Sequence, residues 1–234
     1  QYADKDRDTD ITTDRNRVTI NNPPAARPDI PGAYGPLLPV VGGINTIEEE
    51  RLDAFVQFSG ENGALSWEAG LRWESTDTTI EDATAPAAAR NVSNDYNFLL
   101  PSAHLRWNLS ASDRINISAA RTVRRPNFNF LSPAALLAEL GDNDFIGNPN
   151  LKPEDAWGVD VGFEHRIGSQ GVVGVNVFYR DVKDLIEVAS TGQVGSEGAG
   201  TFVLTPRNTG DGQVWGVEFD LSTPLTAVGL PATG

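Results

Sequence analysis

Leu65, Trp67, Ala69, Leu71 and Trp73 alternate one for one with Ser66, Glu68, Gly70, Arg72 and Glu74. A period of two sends successive side chains to opposite sides of an extended chain. A helix, at about 3.6 residues per turn, would scatter them around its circumference. Such a segment has one greasy face and one wetted face. It becomes stable only in a sheet that gives each face a matching environment.

Six more segments carry the pattern. Leu52, Ala54, Val56 and Phe58 oppose Asp53 and Gln57, with Phe55 interrupting the polar side. Leu99, Pro101, Ala103, Leu105 and Trp107 oppose Ser102, His104 and Arg106; Ile115, Ile117 and Ala119 oppose Asn116 and Ser118. Trp157, Val159, Val161, Phe163 and Ile167 oppose Asp160, Gly162, Glu164 and Arg166. Val173, Val175, Val177 and Tyr179 oppose Gly174, Asn176 and Arg180, and Trp215, Val217, Phe219 and Leu221 oppose Glu218 and Asp220. These predict strands near 48–58, 64–75, 96–108, 114–124, 154–167, 172–188 and 213–222.

Their connections alternate in length. Short links rich in Gly, Ser, Asn and Asp, suited to hairpin turns, fall at 59–63, 108–113 and 168–171. Long links fall near 75–95, 125–153 and 189–208. Long loops are uncommon in compact domains. Three of them at every second connection fit a transmembrane barrel with short turns on one rim and long loops on the other. Odd-numbered strands would then run inward and even-numbered ones outward. All five tryptophans, Trp67, Trp73, Trp107, Trp157 and Trp215, sit on apolar faces. The chain order puts Trp73, Trp157 and Trp215 near the long-loop rim and Trp67 and Trp107 near the other. Two indole belts suit two membrane interfaces, because the ring is apolar and its N–H seeks water. A soluble β-sandwich with indoles in its core is the alternative, and it does not explain the loop alternation.

Hydrophobic residues make up 39% of the 234, net charge is -14, and the mean hydropathy of -0.29 argues against a helical membrane protein. An acidic surface repels nucleic-acid phosphates, so no nucleic-acid partner is expected. The absence of cysteine excludes disulfides, thiolate metal sites and thiol nucleophiles. The ends carry no signal peptide and no starting methionine, and the chain reads as a fragment. Residues 1–47, charged and then proline-rich, read as the end of an earlier strand and a long extracellular loop; residues 223–234 read as a periplasmic turn and a truncated end.

The runs Gly147 to Glu154, Leu99 to Trp107, Ala119 to Phe128, Val177 to Ile186 and Asn208 to Glu218 carry motifs that resemble those of TonB-dependent outer-membrane receptors. Gly147, Asn148, Pro149, Asn150, Leu151, Lys152, Pro153 and Glu154, followed by Trp157, are similar to a recurrent run at the end of a long loop. The family-motif residues are Asn148, Pro149, Leu151, Pro153 and Glu154. Leu99, Leu100, Pro101, Ser102, Leu105, Arg106 and Trp107 resemble a second motif; Ala119 to Thr122 with Arg125, Pro126, Asn127 and Phe128 resemble a third. Val177 to Ile186, and Asn208, Thr209 and Gly210 leading to Gly216, Val217 and Glu218, complete the set in the family's order over residues 48–222. The resemblance implies an all-β fold: an antiparallel meander of about seven strands from a roughly 22-stranded plugged barrel in the Gram-negative outer membrane. It implies energised import of an iron-siderophore complex, cobalamin or oligosaccharide. Expected partners are outer-membrane lipid, a plug domain of the same chain, the TonB complex reached through a plug segment absent here, and a small-molecule ligand. A passive porin-like barrel and a soluble carbohydrate-binding or adhesin module are the alternatives.

No catalytic residues, cofactor or metal are expected. The sequence has no Gly-x-Ser-x-Gly elbow, phosphate-binding Gly loop or His-Glu-x-x-His helix. Asp4, Asp6 and Asp8 have the spacing of a calcium loop, but Thr9 stands where glycine is needed, and Asp142, Asn143 and Asp144 read as a solvated loop. His104 and His165 read as hydrogen-bonded wall residues. Glu68, Arg72, His104, Arg106, Asp160, Glu164, Arg180, Glu218 and Asp220 are the candidate lumen- and plug-facing groups.

Overall fold

A computed structural model describes residues 3–4, 7–15, 38–137, 141–168 and 171–224, with side chains from residue 42 onward. Its strands are β1 (Ala3–Asp4), β2 (Arg7–Arg15), β3 (Leu38–Asn62), β4 (Leu65–Asp82), β5 (Asn91–Asn108), β6 (Asp113–Arg124), β7 (Ala135–Leu136), β8 (Asp144–Ile146), β9 (Glu154–Ile167), β10 (Gly171–Lys183), β11 (Ile186–Val194), β12 (Phe202–Asn208) and β13 (Gly212–Ser222). One helical turn, α1 (Phe128–Leu131), and a 3-10 turn (Ala87–Ala89) are the only helical pieces among the described residues. None is long and apolar enough to cross a membrane.

Seven long strands form one antiparallel sheet in the order β3-β4-β5-β6-β9-β10-β13, with β1 and β2 both paired to β3. Register keeps each face uniform across it. Trp67 pairs with Leu105, Leu105 with Ile117, Ile117 with Val161, Val161 with Val177 and Val177 with Val217. One residue along, Glu68 pairs with His104, His104 with Ser118 and Ser118 with Asp160. A one-residue slip anywhere would put charge into the apolar rows, which fixes the pairing. All five tryptophans lie on the apolar face and keep 38–74% of their surface exposed. They do not fill a core between two sheets.

β3, β4 and β5 run 25, 18 and 18 residues, longer than the roughly 9–11 that cross a bilayer. The stretch expected as a loop at 75–95 is mostly this hairpin, with only 83–90 between the strands. The reason is a change in which face is covered. Below Trp73 the apolar residues are the odd ones of β4; beyond it the buried ones are Glu74, Thr76, Thr78 and Ile80. Thr and Ile keep the chain extended, but the alternation changes phase where the polar face acquires a cover.

The cover is the two long connections. α1, β7 and β8 lie in the link from β6 to β9, and β11 and β12 in the link from β10 to β13; together they make a second sheet, β11-β12-β8-β7, in which β12 and β8 are parallel. The strand expected at 172–188 is therefore two. β10 stops at Asp184, whose φ of 54° turns the chain, and β11 leaves in the loop sheet. The expected loop at 189–208 likewise contains most of β11 and β12. Ile47, Ile80, Leu131 and Leu151 are all but fully buried between the wall and these loops, with Val92, Phe128, Phe130 and Ile186 against them. At about 1.5–3 kcal/mol per buried aliphatic side chain, this small core holds the loops down. Residues 16–37 and 225–234, from the segments read as a first loop and a truncated end, lie outside the described residues, as do the side chains of Asp4, Asp6 and Asp8.

Candidate functional site

The polar face and the loop sheet that overhangs it make one continuous wetted surface. Glu68, Arg72, His104, Arg106, Asp160, Glu164, Arg180, Glu218 and Asp220 all project from this face. They fall into two groups.

Four are spent within the wall. Arg180 Nη2 donates to Asp160 Oδ1 over 2.9 Å, and its Nη1 reaches the carbonyls of Val159 and Tyr179. Glu164 accepts from Asn116 Nδ2 over 2.9 Å and pairs with Arg114. Arg72 belongs to a cluster that sequence reasoning missed. Its Nη2 donates to Asp53 Oδ2 over 2.7 Å, and Arg51 bonds both Asp53 Oδ1 (2.8 Å) and Glu74 Oε1 (2.9 Å). Arg125, from the link after β6, reaches over β5 to Glu74 and to Thr76 Oγ1. Three guanidiniums thus hold two carboxylates that are only 7% and 5% exposed. Each carboxylate has at least two cationic partners, which offsets the cost of removing its charge from water.

The remaining five are free. Glu68, His104, Arg106, Glu218 and Asp220 make no hydrogen bond or ion pair with the described residues. Glu68, His104 and Arg106 line a cavity of about 390 Å³ with Ser59 and Glu61, toward the short-turn rim. His165 lies on the opposite, apolar face, where its Nδ1 is 2.7 Å from Asp113 Oδ1.

The run from Gly147 to Glu154 does structural work. Gly147 lies so close to the Ser132 carbonyl that no Cβ would fit. Asn148 N–H donates to Phe130 O (2.7 Å) and its Nδ2 to Pro206 O (3.1 Å), which ties both long links together. Asn94 Nδ2 and Tyr96 Oη, from β5, donate to the carbonyls of Pro149 and Leu151 over 2.8 and 2.7 Å. Pro153 is buried, and Glu154 accepts from Ile186 N–H (2.8 Å) and Arg124 Nη2 (2.6 Å). Asn208 bonds Lys152 N–H and O and the Asp184 carbonyl. In the loop sheet, Asp144 accepts from Ser196 N–H and Oγ (2.6 and 2.7 Å), and so is not a solvated loop residue. No group of three or more metal-ligating side chains occurs among the described residues.

Comparison with known proteins gives three results. A family model described as "TonB dependent receptor-like, beta-barrel" matches residues 4–233. The iron-regulated outer membrane virulence protein of Vibrio cholerae is 27% identical over 124 residues, 51% of this chain but 19% of that protein. Among solved structures, the siderophore receptor PirA of Pseudomonas aeruginosa superposes with a TM-score of 0.52 at 19% identity, over 78% of this chain and 40% of PirA. The hemophore receptor HasR of Serratia marcescens gives 0.53 at 16% identity, over 78% and 32%. The chain therefore spans only about a fifth of the curated relative it matches.

Proposed function

Because this chain belongs to the TonB-dependent receptor β-barrel family, with wall strands in the outer membrane, we propose that it supplies wall and loops to a receptor that imports a scarce nutrient, an iron complex in the first instance. The single observation that carries the reading is the two-faced sheet, one face ringed by indoles and the other charged and overhung by packed loops. An iron complex is favoured over cobalamin or an oligosaccharide because the relatives are named as iron-regulated and as siderophore and hemophore receptors.

In this reading the long-loop rim faces outward and the loop sheet takes part in ligand capture. The TonB complex acts through a plug domain in the lumen of a roughly 22-stranded barrel. The free groups Glu68, His104, Arg106, Glu218 and Asp220 meet the plug, whereas Arg72, Asp160, Glu164 and Arg180 already have partners in the wall. Indoles at both rims and the apolar rows between them hold the wall in lipid.

Deletion of the gene tests the proposal. Growth on a ferric chelate as sole iron source should be lost, and restored only by the full-length gene in cells with a working TonB complex. Uptake that persists without TonB, or passive solute flux through the purified protein in liposomes, would make it a porin instead.

A further inference from the structure

His165 and Asp113 interrupt the apolar face. β6 and β9 place them directly opposite each other, on the side that carries Trp107, Ile115, Phe163 and Val175 one row further into the membrane. Their own row continues through Val173 to Leu221, which are 38% and 69% exposed. A carboxylate that faces lipid is costly unless it is paired or reaches the headgroup layer. Here both hold. Trp107 marks the interface, and Asp113 lies one row nearer the short turn that joins β5 to β6.

The turn holds this pair in one geometry. Ser110 Oγ donates to Asp113 Oδ2 over 2.6 Å and accepts from the Ser112 and Asp113 N–H groups over 3.0 and 2.9 Å. Asp113 Oδ1 lies 2.7 Å from His165 Nδ1. A carboxylate can only accept, so the proton between them sits on Nδ1, and the neutral ring keeps Nε2 as an acceptor. Nε2 has no partner among the described residues, and the side chains of His165 and Asp113 are 45% and 32% exposed. With a neutral imidazole the pair carries the negative charge of Asp113. Arg106, Arg114 and Arg166, the arginines nearest this rim, project from the polar face instead, where Arg114 pairs with Glu164. An anion is therefore repelled from the lipid side of this rim, and a cation that carries N–H donors is drawn in.

We propose that Asp113 and His165 bind the primary ammonium of an aminophospholipid, whose acyl chains lie along Ile115, Phe163 and Val175. One ammonium N–H donates to His165 Nε2, and a second donates to an open lone pair of Asp113 in a charge-assisted bond. This chemistry distinguishes headgroups. A trimethylammonium has the charge without the donors, and a glycerol headgroup has hydroxyls without a positive charge to offset its phosphate. Which leaflet supplies the lipid rests on the orientation proposed above, with the short turns in the periplasm. The site itself needs only the two faces of the sheet.

Native mass spectrometry of the full-length receptor in detergent tests the site, with phosphatidylethanolamine, phosphatidylcholine and phosphatidylglycerol of the same acyl chains titrated in turn. The first phosphatidylethanolamine should bind about tenfold more tightly than either of the others, the margin of one charge-assisted hydrogen bond. Asp113→Asn removes the charge and keeps the shape of the pair, and His165→Phe introduces a side chain suited to lipid. Each should bring phosphatidylethanolamine down to the level of phosphatidylcholine. Asn62→Ala, at the same rim and on the same face of β3, should leave the preference intact. Equal affinity for the three lipids, or a preference that survives both Asp113→Asn and His165→Phe, overturns the proposal. Displacement of the bound lipid by an equal concentration of glycerophosphoethanolamine overturns it in favour of a soluble amine. None of these readings depends on iron-chelate uptake, whose loss bears on the import proposal alone.

Discussion

The hydroxyl of Tyr96 donates to the carbonyl oxygen of Leu151 over 2.7 Å, so a wall strand holds a loop residue that is itself fully buried. Burial, reinforced by the nearby carboxylates of Asp95 and Glu49, pushes the phenol up to about 12. Raised above its ordinary value of 10.0, it favours the folded state fully below pH 10, and that contribution is lost as pH rises toward 12. In alkaline titration followed by tyrosinate absorbance, Tyr96→Phe should remove a late-titrating component, and its stability should fall less over that interval than the parent's. Equal curves would contradict the placement of the ring.

Glu154 takes hydrogen bonds from Ile186 N–H and Arg124 with its carboxylate 7% exposed. Glu154→Ala leaves the part-buried Ile186 N–H without its acceptor, at a cost of about 1 kcal/mol. Limited proteolysis of the full-length receptor should cut within residues 184–211 faster in Glu154→Ala than in Glu154→Gln, which keeps an oxygen at the same place. Identical rates in the two variants would show that the loops are not anchored there.

Glu74 is held by Arg51, Arg72 and Arg125 while 5% exposed. Glu74→Ala strands guanidiniums in a desolvated pocket and should lower stability by about 3–5 kcal/mol. Arg72 is the most exposed of the three guanidiniums, at 41%, and its loss still leaves Arg51 on Asp53 and Arg51 with Arg125 on Glu74, so Arg72→Ala should cost less than Glu74→Ala. Thermal unfolding of the two variants checks the order, and a larger loss in Arg72→Ala would reverse the account.

Much of this was legible in the chain. A period of two survives wherever one face meets lipid and the other water, and the alternation found all seven wall strands, with β6, β9 and β13 placed to within one residue at both ends. Beyond Trp73 the outward residues Asp77, Thr79 and Glu81 are polar and the inward Ile80 is buried. A reading keyed to one apolar face therefore stopped where the buried face changed sides. The ion cluster was illegible for another reason. Glu74 and Arg125 are 51 residues apart, and neither propensity nor spacing encodes which loop folds back over which strand. The break at Asp184 is a single left-handed residue, a conformation Asp tolerates but does not announce.

Gly60 pairs directly with Trp67, and the indole covers it so closely that a Cβ would lie 2.8 Å from Nε1. Gly60→Val should push the ring off the strand. Quenching of Trp67 fluorescence by lipid-borne quenchers, in a receptor whose other tryptophans are replaced by phenylalanine, should change with the substitution. An unchanged profile would mean that the ring does not pack on Gly60.

The assignment of the two faces carries the whole account, and the absence of cysteine from this chain makes it directly measurable. Single substitutions Leu71→Cys, Val161→Cys and Val177→Cys, set against Gly70→Cys, Gly162→Cys and Asn176→Cys, place thiols on alternate faces of three strands. In the full-length receptor in native outer membranes, the first three should react with a lipid-soluble maleimide and resist a charged one, and the second three should show no preference for the lipid phase. Modification of the Leu71, Val161 and Val177 positions by the charged reagent at the rate of an unfolded control would contradict a lipid-facing apolar surface.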